Sequence, residues 1–301
     1  MFILLCLIGI FCTFGKVEKE QVYDYIFAGA GAATLQIIQK LIQSGEFNDK
    51  QMLILEEDPN KQNDRTWCFW ETKTNTHWAA HIVKEWDRIC FKSSSLTLNE
   101  KISPLSYKMM RSSSYYTSMR SLIEQNNNIT LKFEVVNSFE AHASGVRIVS
   151  NKKTYNTKLF FNSIFDWQVV LEQKRYPVLQ QHFMGWFIKT KKPLFDVNTA
   201  TFMDFTVAQK GSTRFIYVLP SSEKEALIEY TLFSKEKLKP AAYERELRAY
   251  LSEKNIRDYN IEEREAGSIP MTCYPFAKHN SKCVLHIGSA GGWTKPSTGF
   301  T

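Results

Sequence analysis

A lone glutamate, Glu229, sits inside the apolar run ALIEYTLF at residues 226–233. In strand alternation it shares a face with Leu227 and Thr231. A carboxyl buried among apolar groups ionises above its reference of ~4.3 and so keeps its proton near neutrality. Such a group can act as an acid toward a poor base. A second carboxylate, Asp204, lies in FMDF at residues 202–205. It reads equally as an orienting partner for a proton donor and as a satisfied polar residue at a strand end.

A different chemistry is suggested by Gly29-Ala30-Gly31. In a dinucleotide-binding turn the first glycine permits the sharp bend, and the second lets a pyrophosphate approach the backbone. The helix opening at Ala32 would aim its first N–H groups and its positive dipole end at the phosphates. The third glycine position holds Thr34, a departure from the pattern. Glu56 closes the next strand and could hold ribose hydroxyls, somewhat beyond the usual ~20 residues. The alternative is an exposed carboxylate past a strand end.

The last segment, VLHIGSAGGWTKPSTGF, has the layout of a late cofactor-contact motif. A strand ends in Gly288-Ser289-Ala290, a loop follows, and Pro296 is suited to open a helix. Gly291, Gly292 and Gly299 would let the backbone come close to a flat ring. Lys295, Ser297 and Thr298 could hold a cofactor or cap that helix.

These residues need elements to position them. Residues 23–28 (YDYIFA) and 52–55 (MLIL) read as buried strands, with a helix over 32–42 between them. Ser44-Gly45 stops that helix. A second helix is expected around 115–125, and strands at 129–136 and 145–150. Four strand-like runs follow, at 183–189, 200–207, 214–219 and 226–233. They point to an antiparallel sheet inserted after the nucleotide-binding part. Lys239-Pro240 opens a helix over 241–253, and 284–287 is a last short strand.

The expected fold is therefore α/β: a Rossmann-like domain interleaved with an antiparallel substrate sheet. The expected division runs 22–110 and 111–180 for the nucleotide-binding part, 181–265 for the substrate sheet and helix, and 266–301 for the return. Residues 1–20 stand apart. They contain an apolar run too short to span a bilayer comfortably, with no basic residue before it. An anchor, a signal-like segment and a mis-called start remain open for it.

Composition limits the rest. The net charge of +7 is dispersed, with no basic run interleaved with stacking aromatics, so a nucleic-acid partner is not expected. A mild basic excess suits anionic lipid heads or simply a solvated surface. Cys6, Cys12, Cys68, Cys90, Cys273 and Cys283 form no CxxC pair and no zinc spacing, so no metal site is expected and reduced thiols are the simplest reading. The histidines, including His182 and His286, have no nucleophile at catalytic spacing.

Several segments also match one family in order. They are DRTWCFW (64–70), QHFMGWFI (181–188), FMDF (202–205), FIYVLPSSEKEALIEYTLFS (215–234), EAGSIPMT (265–272) and GGWTKPSTGF (291–300). Together they resemble the flavin-containing lycopene cyclases of bacteria and plants, from about Tyr23 to the end. The resemblance implies an enzyme that takes lycopene from the bilayer as a peripheral membrane protein on the cytoplasmic face. It implies an isomerisation that needs reduced FAD, with NAD(P)H as the reductant, and gives β- or γ-carotene. Glu229 matches the first glutamate of the family's Phe-Leu-Glu-Glu-Thr segment, whereas Tyr230 replaces the second. A cation formed by protonating lycopene could rest against Trp67, Trp70, Trp186 or Trp293. Arg65, in DRTW, would contact flavin phosphate or tie its loop to an acid. Family members usually continue past KPSTG, so a truncated, inactive carotenoid-binding protein is one alternative. A flavin-dependent desaturase or monooxygenase is the other, although Ser289 stands where many monooxygenases carry Asp.

Overall fold

The computed structural model describes residues 22–300 apart from 73, 75 and 76. The apolar run at 1–20 lies outside the described residues. In chain order the first unit is β1 (Val22–Ala28), α1 (Ala32–Ser44) and β2 (Met52–Glu56). Then come β3 (Thr66–Thr72), β4 (Ile82–Trp86), β5 (Arg88–Lys92), β6 (Thr97–Lys101) and β7 (Leu105–Arg111). Next are α2 (Ser112–Glu124), β8 (Ile129–Phe133), β9 (Val136–His142), β10 (Gly145–Ser150), β11 (Thr154–Asn162) and α3 (Trp167–Glu172). The chain closes with β12 (Val178–Thr190), β13 (Thr199–Asp204), β14 (Arg214–Pro220), β15 (Glu225–Ser234), α4 (Pro240–Glu253), β16 (Tyr259–Thr272) and β17 (Val284–His286).

The first sheet runs β8-β2-β1-β11-β10-β9, with β17 also paired to β11. β8, β2, β1, β11 and β17 are parallel, and β10 and β9 add an antiparallel edge. Strands covered on both faces read as continuous apolar runs, and MLIL of β2 is buried throughout. α1 packs Leu35 and Ile38 inward and ends at Gly45, whose φ of 70° is a left-handed cap.

The second sheet runs β16-β12-β15-β14-β13-β5-β6. Its four consecutive strands β12 to β15 sit where the sequence expects them. They pair antiparallel, and only β13–β5 is parallel. The sheet also draws in residues 88–92 and 97–101, from within the segment 22–110 read as nucleotide-binding. The interleaving thus begins before β7. One face of this sheet is covered by α4, whose Tyr243, Leu247, Tyr250 and Leu251 meet Trp186, Ile188, Ile228, Tyr230 and Leu232.

A small sheet, β3-β7-β4, joins the two large ones. Alternation gives it two apolar faces. Trp67, Phe69 and Met110 pack into the core of the first sheet. Cys68, Trp70, Tyr107 and Met109 pack with Leu219, Leu227, Phe187 and Phe202 of the second. The space between this small sheet and the second sheet is where Glu229 points.

Candidate active site

The nucleotide-binding turn has two glycines with different needs. Gly29 has φ of +85°, and a Cβ there would come within 2.5 Å of Ser163 Oγ, so the fold itself requires glycine. Gly31 has φ of −81° and ψ of 179°, which any residue adopts. Among the described residues nothing lies within 4 Å of where its Cβ would be. The space over Gly31 is open, among the described residues, at the start of α1, where the N-cap glycine supplies no side-chain cap to the first N–H groups. Thr34 Oγ1 is buried without a hydrogen-bond partner among the described residues. An open glycine, an uncapped helix start and an orphaned hydroxyl fit a pyrophosphate. Among the described residues no cluster of His, Cys, Asp and Glu could hold a metal ion.

Glu56 ends β2 beside this turn and is buried. Its Oε2 accepts the Ala30 N–H at 2.6 Å and pairs with Lys61 Nζ at 3.1 Å. A small cleft adjoins it, lined by Lys61, Tyr116, Arg120 and Phe133 among others. Sequence reasoning missed these four. They come from three separate segments, which only the sheet order brings together. Arg65 is exposed, and its Nη1 donates to the carbonyl of Asp64 at 2.7 Å. Among the described bonds it ties no loop to an acid side chain.

The C-terminal motif folds as a 3-10 turn at Gly288–Gly291 and then a loop. Residues 296–298 form a turn in place of the expected helix start. The N–H groups of Thr298 and Gly299 both donate to the carbonyl of Lys295. Lys295, Pro296, Ser297 and Thr298 are exposed. The glycines here answer to the chain's own packing. A Cβ on Gly291 would meet the carbonyl of His286, one on Gly292 would meet Phe276 at 2.7 Å, and one on Gly299 would meet the Gln181 amide. A Cβ on Gly288, which has φ of +59°, would come 3.0 Å from Ala33 Cβ, so the motif packs on the start of α1. Gln181 Oε1 is buried and unpartnered. It lies on β12, on the face that also carries Phe183, Gly185 and Phe187.

That face holds the second group. Glu229 on β15 and Glu265 on β16 both pair with Gly185 on β12, which lies between them. A Cβ at Gly185 would come within 3.3 Å of Glu265 Cγ and 3.5 Å of Glu229 Cβ. Glycine therefore clears the floor between two carboxyl side chains. Tyr217 on β14 continues the same row beyond Glu229. Thr231 Oγ1 donates to Glu229 Oε1 at 2.6 Å, and Thr66 Oγ1 donates to Glu265 Oε2 at 2.7 Å. Arg111 Nη2 reaches Glu263 at 2.6 Å while its guanidinium lies 3.9 Å over Phe187. Thr66 and Arg111 are themselves a directly paired couple on β3 and β7. The small sheet is thus clamped to β16 at the carboxyl pair.

Burial, then the nearby charge of Glu265, pushes the Glu229 carboxyl up to about 8, against the smaller opposing effect of the Thr231 hydroxyl. Burial also raises Glu265, opposed by Thr66, Arg111 and Arg65. Burial pushes the Cys68 thiol and the Tyr107 and Tyr217 hydroxyls up, so all three stay neutral. The lining is aromatic: Trp70 lies 4.8 Å from Tyr107 and 5.1 Å from Phe202, and Phe202 lies 5.8 Å from Tyr217. At neutral pH this site offers a carboxylic acid, Glu229, half-buried among aromatic side chains between the two sheets.

The structure does not bring Asp204 to that chamber. β13 carries a bulge between Thr201, opposite Val218, and Asp204, opposite Ile216. The extra residue turns Asp204 onto the α4 face of the sheet. There Tyr250 donates to it at 2.9 Å, the Thr206 N–H at 3.0 Å, and Lys254 pairs at 3.3 Å. Burial alone would raise its carboxyl, but these partners outweigh burial and lower it. It is a satisfied strand-end residue that ties β13 to α4. Trp186 also faces α4, Trp67 faces the first core, and Trp293 is half exposed. Of the four candidate tryptophans only Trp70 lines the Glu229 chamber. Glu265, in contrast, was passed over. It stands in the segment EAGSIPMT, but only strand register shows that it meets Glu229.

The parallel unit with its glycine turn, interleaved with a sheet that carries a half-buried acid, defines a two-domain α/β fold shared with flavin-dependent enzymes. A geranylgeranyl bacteriochlorophyll reductase-like protein from Thermoplasma acidophilum superposes with a TM-score of 0.66 at 12% identity, covering 93% of this chain and 74% of that one. The p-nitrophenol 4-monooxygenase PnpA from Pseudomonas putida gives 0.64 at 10% identity, with 90% and 73% covered. The flavin-dependent brominase Bmp2 gives 0.59 at 11% identity, with 90% and 72% covered. At these identities the likeness establishes the fold. No curated protein matches the sequence. A sequence model described as lycopene cyclase protein matches residues 24–301, and the chain belongs to that family.

Proposed function

We propose that this chain closes rings on the ends of lycopene, by proton transfer and without net oxidation or reduction. The observation that carries the reading is Glu229, a carboxyl whose burial and carboxyl neighbour keep it protonated through neutral pH, in an aromatic-lined chamber of a lycopene cyclase family member.

An isolated alkene is a weak base, so its acid must hold a proton without water competing for it. Glu229 gives its proton to the terminal double bond and leaves a tertiary cation. The neighbouring double bond attacks that cation and closes a six-membered ring. The second cation loses a proton, and the carbon that loses it sets the ring type. Trp70, Tyr107, Phe202 and Tyr217 line the chamber with ring faces that stabilise positive charge.

The open turn at Gly31, the uncapped start of α1 and Glu56 would hold FAD, with Ala32 at the first helical position. Bound reduced flavin supplies negative charge without net electron transfer, and NAD(P)H is the reductant that fits such a group. A peripheral membrane position would bring the protein to its apolar substrate. No helix among the described residues is long and apolar enough to cross a membrane. Exposed Leu171 and Leu179 border a groove with Lys174, Arg175 and Lys235, a combination suited to anionic lipid on the cytoplasmic face.

The test is pigment analysis in a lycopene-accumulating cell. The wild-type chain is expected to convert lycopene to ringed carotenoid, and Glu229→Gln to lose this by on the order of a hundredfold or more. Equal conversion by Glu229→Gln, or lycopene left unchanged by well-expressed wild-type protein, would defeat the reading.

A further inference from the structure

Glu229 and Glu265 flank Gly185 in one row, but their surroundings differ. Glu265 receives the Thr66 hydroxyl at 2.7 Å and feels Arg111 and Arg65, with Glu263 on its own strand as the opposing charge. Among the described residues Glu229 receives only the Thr231 hydroxyl. The other titratable groups that face it are Cys68 on β3, Tyr107 on β7 and Tyr217 on β14, all neutral, and no cation is among them. Two carboxyls flanking one glycine cannot both ionise cheaply, and the one beside cations takes the charge. Tyr230, next to the acid in sequence, cannot serve as its partner. Alternation turns it to the α4 face, where its hydroxyl accepts from Arg214 at 3.1 Å.

We propose that Glu265 is a second catalytic residue: the ionised base that receives the proton shed by the ring cation, paired with Glu229 as the acid. This rests on the cyclase reading above. The Glu229 O–H bond breaks and a C–H bond forms at the terminal alkene. The neighbouring π pair forms the ring C–C bond. A C–H bond beside the second cation then breaks, its electron pair becomes the ring double bond, and its proton goes to a Glu265 carboxylate oxygen. Transfer from Glu265 to Glu229, directly or through water, restores the pair, and no electrons are gained or lost. Strands β15 and β16 lie two strand spacings apart, about 10 Å. With no side chain on Gly185, acid and base face one another across a single slot.

The test has two readouts on purified protein. Infrared titration follows the protonated-carboxyl band without turnover, and the rate and ring isomers are measured with lycopene in vesicles. In wild type the band should persist past neutral pH, and it should vanish in Glu229→Gln. In Glu265→Gln it should titrate lower by about one pH unit or more, the rate should fall on the order of a hundredfold, and the ring-isomer ratio should change. Glu265→Asp, which keeps the charge, should restore the high titration and part of the rate, and it stands in should the amide variant fold poorly. Wild-type titration and wild-type yield in Glu265→Gln would overturn the proposal. Absence of ringed product from wild type with the titration pattern intact would instead sink the cyclase reading and the base role with it, leaving only the unequal protonation of the two carboxyls.

Discussion

Glu265 lies across Gly185 from Glu229, on the far neighbour of the same strand, so the acid and its closest charge partner are brought together by sheet register rather than by sequence. They are separated by 36 positions of chain and by one glycine in space. The geometry depends on that glycine having no side chain.

Gly185→Ala therefore tests the pair from its floor. The new Cβ would stand 2.8 Å from Leu227 Cδ1 and 3.3 Å from Glu265 Cγ. We expect a loss of about 1–3 kcal/mol in stability and a larger loss of ringed product than that destabilisation explains. Thermal melting and pigment yield on the same preparation check it. Unchanged yield would mean the spacing of the carboxyls does not matter.

Asp204→Asn should separate structure from chemistry. Its carboxylate holds Thr206, Tyr250 and Lys254 and faces away from Glu229. The substitution is expected to cost about 1–3 kcal/mol while the pH dependence of cyclisation stays as in wild type. A shifted profile would return Asp204 to the mechanism.

Much of this could be read from the chain, and the failures have physical causes. The glycine turn, α1, β2 and the strands β12, β14 and β15 follow from apolar periodicity and turn residues, which are local signals. Glu229 follows from a charge inside an apolar strand. Glu265 does not, because one residue of register decides which face a side chain takes. Asp204 misled for the same reason: alternation from Phe202 puts it on the chamber face, and the bulge after Thr201 moves it to the other. Gly291, Gly292 and Gly299 looked like ligand contacts, but their missing Cβ atoms make room for His286, Phe276 and Gln181, which no local pattern announces.

The two turn glycines should fail in different ways. Gly29→Ala strains a left-handed backbone against Ser163 and should lower stability. Gly31→Val meets open space and an ordinary backbone, so the fold should survive and flavin retention should be lost. Melting temperature and the visible flavin spectrum after reconstitution distinguish them. Full flavin content in Gly31→Val would place the cofactor elsewhere.

Stability should also record the Glu229 proton. Its folded carboxyl ionises higher than in the unfolded chain, so the folded state binds more protons between about 4.5 and about 8. Stability contributed by this group is full below that window and declines as pH rises through it. Glu229→Gln carries no such charge and should be more stable than wild type at pH 9, by on the order of a few kcal/mol. Chemical denaturation at about pH 4.5 and about pH 9 gives the comparison, and a wild type that gains stability over the window would contradict it.

The rate of ring closure against pH, on purified wild-type protein with lycopene in vesicles, tests the central claim most directly. If protonated Glu229 delivers the proton, the rate is level through neutrality and falls about tenfold per pH unit above roughly 8. A rate that rises above roughly 8, where Glu229 loses its proton, or an equally active Glu229→Gln with the same profile, would contradict the account.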